Sequence, residues 1–139
     1  MRNRMGRFIT AVTIAVIVLY FGIPLTPAAA QSTWYGEYFA NQNLSGSPAI
    51  TRYDDSLNFD WGTGSPGAGI PADNFSARWT RDEWFENGTY RFSYRSDDGI
   101  RIWVGGTLVV DDWRDRQAGW SSVDHVVPRG THRVRVEYY

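Results

Sequence analysis

The sequence contains no cysteine and no lysine. Without cysteine the fold gains no disulfide cross-links, so an exported chain would have to hold together on its core alone. Without lysine, all 14 basic residues are arginine, and 15 acidic residues outnumber them. That balance argues against a nucleic-acid or other polyanion binder, which needs surplus positive charge. Histidine is scarce as well. His125 and His132 are the only two, too few for a zinc site. No Gly-x-Ser-x-Gly elbow occurs, and the glycine-rich stretch GTGSPGAG is not followed by Lys-Ser or by a helical pattern. A short domain without a deep cleft leaves little room for a glycosidase pair of carboxylates, so the chain reads as non-enzymatic.

What is present divides the chain in two. Residues 1–30 have the build of a secretory signal peptide. Arg2, Arg4 and Arg7 precede an apolar run over residues 9–23, Pro24 and Pro27 follow, and Ala28, Ala29 and Ala30 supply small residues for cleavage. The run falls short of the roughly 20 residues that span a bilayer, so no membrane insertion is expected once the leader is removed. Residues 31–139 then form one secreted or cell-surface domain. Losing the three leader arginines takes its formal net charge from −1 to −4, and all 7 tryptophans lie within it. An aromatic core is therefore available.

From Trp34 onward the pattern is alternation and turns, with no sustained helical period. Tyr90, Phe92 and Tyr94 face one way and Arg91, Ser93 and Arg95 the other, as in a half-buried antiparallel strand. Phe75, Ala77 and Trp79 alternate likewise, and so do Val134, Val136 and Tyr138. WYGEYFA, SLNFDW, IRIWV, TLVVD and SSVDHVV read as further strands, and GTGSPGAGIPADN as a long loop. Asp54-Asp55 reads as a solvated turn, and Asn43, Asn74 and Asn87 as turn residues despite their N-x-[ST] sequons. Eight or so short strands without a helix predict an all-β fold, an antiparallel barrel or sandwich.

One dipeptide exceeds what turning the chain requires. Asp97-Asp98-Gly99 sits at the tip of a hairpin, where Asp-Gly alone would suffice and two adjacent carboxylates repel. Either both are solvated or a cation sits on the tip. A meander would bring the acidic segment 111–120, DDWRDRQAGW, back to the same end. Trp113 and Trp120 there suit either packing at the rim or stacking on the C–H face of a sugar.

YGEYFANQNLSGSP, FDWGTGSPGAGIPADNFSARWT, GTYRFSYRSDDGIRIWVGGTLVVDDW and HRVRVEYY, in that order, resemble the fourteen-kilodalton protective-antigen domain family of lectin-like β-barrel modules. The resemblance implies an extracellular carbohydrate-binding or adhesion module. It implies that Asp97 and Asp98, joined by a cis peptide bond, hold Ca2+, which in turn binds vicinal sugar hydroxyls. It implies further metal ligands from Asp112, Asp115 and Gln117, and sugar contacts from Trp113, Arg114 and Trp120. Members usually run past EYY into one more strand, so the domain is expected to lack its last strand. The rival expectation is an assembly subunit of a surface complex, its open sheet edge completed by another chain.

Overall fold

In a computed structural model the structure describes the backbone of residues 7–10 and residues 33–139 in full. The leader read at residues 1–30 otherwise lies outside the described residues. Among the described residues nine strands build two sheets, and there is no helix. The strands are β1 (Arg7–Thr10), β2 (Trp34–Phe39), β3 (Ile50–Asp54), β4 (Ser76–Phe85), β5 (Gly88–Ser96), β6 (Ile100–Val104), β7 (Thr107–Asp112), β8 (Gly119–Val127) and β9 (Gly130–Tyr138). The larger sheet has the order β3-β2-β4-β9-β6-β7 and the smaller β1-β5-β8. Every pairing is antiparallel except the short parallel one of β1 on β5. The architecture is an open β-sandwich and not a closed barrel.

Period-2 patterning decides which side chains meet between the sheets. Phe92 and Tyr94 of β5 face Ile100, Ile102, Trp79 and Val136 of the larger sheet across one continuous core. Each such aromatic or branched side chain contributes roughly 1.5–3 kcal/mol when fully buried. That supplies the stability that no disulfide provides. On the outer face of β5 and β8, Arg91 donates two hydrogen bonds to Asp124 at 2.6 and 2.7 Å.

Two expectations need correcting. SLNFDW is not a strand. Leu57 is buried and Phe59 and Trp61 pack on the core, but they do so from within a loop. Its alternation reflects packing against the sheet and not membership of it. Asp54 is not a solvated turn residue either. It ends β3, and its carboxylate accepts from Tyr38 Oη at 2.6 Å, Trp79 Nε1 at 3.0 Å and Arg52 Nε at 2.7 Å. Gly36 makes room for it, since a Cβ there would lie 2.6 Å from Asp54 Oδ2. Burial, and then the adjacent Asp54 carboxylate, push the Tyr38 phenol well above its ordinary range. Arg52 also donates to the carbonyl of Pro66 at 2.9 Å, which ties the glycine- and proline-rich loop to the sheet.

Candidate functional site

The hairpin between β5 and β6 carries Asp97 and Asp98, and the peptide bond between them is cis. Three contacts with the end of β9 fix this tip. The Asp98 amide donates to the Tyr139 carbonyl at 3.1 Å, and the Tyr139 amide donates to the Gly99 carbonyl at 3.1 Å. The Tyr138 hydroxyl donates to the Asp97 carbonyl. Burial and the neighbouring Asp97 and Asp98 carboxylates push the Tyr138 phenol up to about 12, so it stays a donor at neutral pH. Gly99 is dictated by close approach. A Cβ there would lie 2.1 Å from the Tyr139 ring.

Segment 111–120 does return to the tip. The Arg116 amide donates to Asp98 Oδ1 at 2.9 Å. Its side chains divide by role. Asp112 Oδ1 accepts from Arg114 Nε at 2.7 Å, and its Oδ2 accepts from Arg116 and, at 3.2 Å, from Tyr94 Oη. Burial would raise the Asp112 pKa, but the Arg114 hydrogen bond, the Arg116 charge and the Tyr94 hydrogen bond outweigh it and hold it low. With both oxygens engaged by arginine, Asp112 anchors the loop and is poorly placed to serve a metal. Asp115 is exposed and accepts from Tyr139 Oη at 3.0 Å. Gln117 is exposed, and Arg114 is exposed apart from its bond to Asp112.

Of the expected ligands, Asp98 and the backbone beside Asp115 meet at the tip, while Asp112 is turned to arginine. Among the described residues no three carboxylate or imidazole groups converge as a metal centre. Trp113 is half-buried, with the Arg101 guanidinium 4.5 Å from its ring centroid and the Tyr139 ring 4.7 Å away. Its ring packs at the rim. Trp120 is 58% exposed and lies across from Arg95 in the β5–β8 register.

Sequence reasoning missed the other wall of the site. Beside the aspartates opens a cleft of about 590 Å³, bounded on its far side by the loop over residues 57–75. Asn58, Asp60, Asp73 and Asn74 contribute polar groups from that loop, and Phe59 and Trp61, stacked 4.8 Å apart, its apolar part. A volume of this size suits a small organic ligand. Ser96 also lines the cleft. It is 3% exposed, and its hydroxyl has no hydrogen-bond partner. The available signal was the loop's position before Phe75. Gly, Pro and Ala themselves carry no chemical signature.

Two packed sheets with acidic, amide and aromatic groups around a cleft at one end define a β-sandwich module. The family model described as the PA14 domain matches residues 30–139, and the chain belongs to the PA14 domain family. It is 37% identical over 106 residues to the Anti-sigma-I factor RsgI3 of Acetivibrio thermocellus, covering 75% of this chain but only 16% of that protein. It resembles a solved "anti-sigma factor domain-containing protein" at 35% identity and a TM-score of 0.69, covering 76% of this chain and 37% of the other. The chain thus spans well under half the length of these relatives. A structure described as "PA14 sugar-binding domain from RTX adhesin" shares the fold at 22% identity and a TM-score of 0.50, covering 79% of this chain and 82% of that one.

Proposed function

We propose that this chain is an exported or cell-surface carbohydrate-binding module that grips sugar hydroxyls through a calcium ion at Asp97 and Asp98. The observation that carries the reading is the adjacency of these two carboxylates at the mouth of the cleft. Calcium favours oxygen donors, six to eight of them, from carboxylates, carbonyls and water. The tip offers oxygens without competing nitrogen or sulfur ligands. Arg116 occupies one oxygen of Asp98, which leaves the other and the Asp97 carboxylate to hold the ion. Bound calcium would neutralise the two carboxylates and offer its remaining positions to vicinal hydroxyls. Asp115 and Gln117 stand close enough in the chain to contribute through water. Trp120, with its open ring, is the better candidate for a sugar face than Trp113. No catalytic role is proposed.

Likeness to RsgI3 favours a second level of reading. Here the module is the ligand-sensing part of a longer anti-sigma factor, and its partners include protein as well as glycan.

Thermal melting with added calcium tests the proposal. A ligand at about 100 times its dissociation constant stabilises the folded state by about 2.7 kcal/mol. Calcium should raise the melting temperature, and Asp97→Ala and Asp98→Ala should each abolish the rise in a protein that still folds. A melting curve indifferent to millimolar calcium would refute the metal.

A further inference from the structure

We propose that strand β8 is a dimerisation edge. It pairs antiparallel with β8 of a second copy of this chain about a two-fold axis at Val123, which joins the two smaller sheets into one.

Among the described residues four strands end a sheet: β1, β3, β7 and β8. An unpaired edge invites foreign strands, and proteins blunt it by shortness, charge, proline or a bulge. Three of the four are blunted. β1 has 4 residues. β3 has 5 and carries Arg52 and Asp54. β7 ends in Asp111 and Asp112, and its pairing with β6 shifts register between Ile102 and Trp103. β8 has none of these devices. It runs for 9 residues without proline, lysine or arginine, in unbroken register with β5. Its one carboxylate, Asp124, is already engaged by Arg91. Trp120 and Val126 are 58% and 62% exposed on its outer side. Val123 lies across from Phe92 on the core-facing side and is still 37% exposed, so the larger sheet does not cover this stretch of β8.

The pattern along β8 names the occupant, because it complements itself. With the axis at Val123, Trp120 stands opposite Val126 of the second copy, Ser122 opposite Asp124, and Ser121 opposite His125. Two aromatic-on-valine pairs result, a favourable cross-strand combination. No like charges meet, since each Asp124 faces a serine. The two Val123 side chains meet beneath the joined sheet, where neither is covered within its own chain. Neighbouring registers lose this match. An axis at Ser122 sets Trp120 against Asp124, and an axis at Asp124 sets it against Pro128. The pairing is edge to edge, so one face of the Trp120 ring stays open to solvent. A single strand edge buries less than the roughly 1,200 Å² of a standard interface, which makes the dimer a weak one.

Sedimentation of the purified full chain from about 1 μM to about 200 μM tests the pairing, a span that suits a weak complex. Hydrogen exchange of the β8 amides is recorded at both ends of the range. The mass should rise towards two chains and no further. Alternate β8 amides that exchange fast in dilute solution should become protected. Val126→Lys changes an outward, exposed position. It should keep the parent melting temperature and weaken association about tenfold or more. Val123→Lys sets two ammonium groups opposite each other on the axis and should also weaken it. Adding Trp120→Glu to Val126→Lys places opposite charges across the same two pairs and should restore dimers. Tyr53→Lys, 62% exposed on the blunted edge β3, should leave association unchanged.

A single-chain mass at every concentration would overturn the proposal. So would β8 amides already protected at the lowest concentration, because the edge would then be covered from within its own chain. Association that Val126→Lys leaves intact, or growth beyond two chains, would place the contact elsewhere and equally overturn it. Neither calcium nor sugar enters the pairing, so its failure would leave the metal tip untouched.

Discussion

Replacing Asp54 by alanine should be among the most destabilising single changes in this domain. The carboxylate is the shared acceptor of Tyr38 Oη, Trp79 Nε1 and Arg52 Nε. Tyr38 is 0% exposed and Trp79 3% exposed, so neither donor can turn to bulk water when its acceptor goes. Trp79 Nε1 would keep only its long 3.3 Å contact with the Tyr38 hydroxyl, and a stranded buried donor costs about 1–3 kcal/mol. Arg52 would retain its bonds to the Tyr38 hydroxyl and the Pro66 carbonyl, but its neutralising partner would be gone. Because the Arg52 side chain is 34% exposed and its charge is partly screened, the total comes to about 2–4 kcal/mol. For a domain of this size that is a fall in melting temperature on the order of 8–20 °C. Circular dichroism melts and a guanidinium titration at neutral pH read it directly. Asp55→Ala supplies the internal control, because its side chain is exposed and should change stability by less than about 0.5 kcal/mol. A loss below about 1 kcal/mol for Asp54→Ala, or equal losses at the two positions, would refute the network's role. The functional consequence follows through Arg52 and Pro66. Arg52 would still hold the Pro66 carbonyl but without the anchor that Asp54 gives its guanidinium, so the loop that walls the cleft should become more mobile and ligand affinity should fall even in protein that remains folded.

Gly99→Ala drives a methyl group into the Tyr139 ring and should cost about 1–3 kcal/mol, as overpacking generally does. A chemical denaturation curve checks this, and a smaller calcium response should accompany it because Tyr139 also holds the tip. Asp112 governs the acid side. Its pKa is depressed in the folded state, so its contribution is present above the ordinary carboxylate value near 4 and is lost as pH falls through the folded value. Asp112→Asn should therefore be less stable at neutral pH and lose less on acidification than the parent. Parallel acid limbs in melts from pH 6 down to about 2 would contradict this.

Strands β4, β5, β6 and β9 were legible because each buries one face only, and alternation survives wherever one face is wet. β3 was not, because its inward groups are charged. Arg52 and Asp54 occupy the positions where an apolar residue would have announced a strand, and only the fold shows that they pair with each other and with Tyr38. The aspartate tip was legible because repelling neighbours at a turn demand a reason, and the resemblance supplied one. The pairing of Asp112 with arginine was hidden for a related cause. A carboxylate in a sequence does not reveal which cation it has found, and here arginines two and four residues on had already claimed it. The cleft was invisible because one wall is a loop of small residues whose contribution is shape.

Strand order has a consequence for how the chain reaches this state. β9 lies between β4 and β6, although it is the last of the nine strands in sequence. Until it docks, β3-β2-β4 and β6-β7 are separate fragments, each with an unprotected ladder along one side. Most of the pairings it makes join residues dozens of positions apart, which slows folding because loop-closure entropy must be overcome before any contact repays it. Synthesis from the N-terminus therefore holds both half-sheets waiting for Gly130–Tyr138. The same strand brings Tyr138 and Tyr139 to the aspartate tip, so a chain interrupted before it has neither a continuous sheet nor a formed site. Such fragments would lack the formed tip and carry unpaired strand edges, so the domain gains by staying unfolded until its last strand has been made.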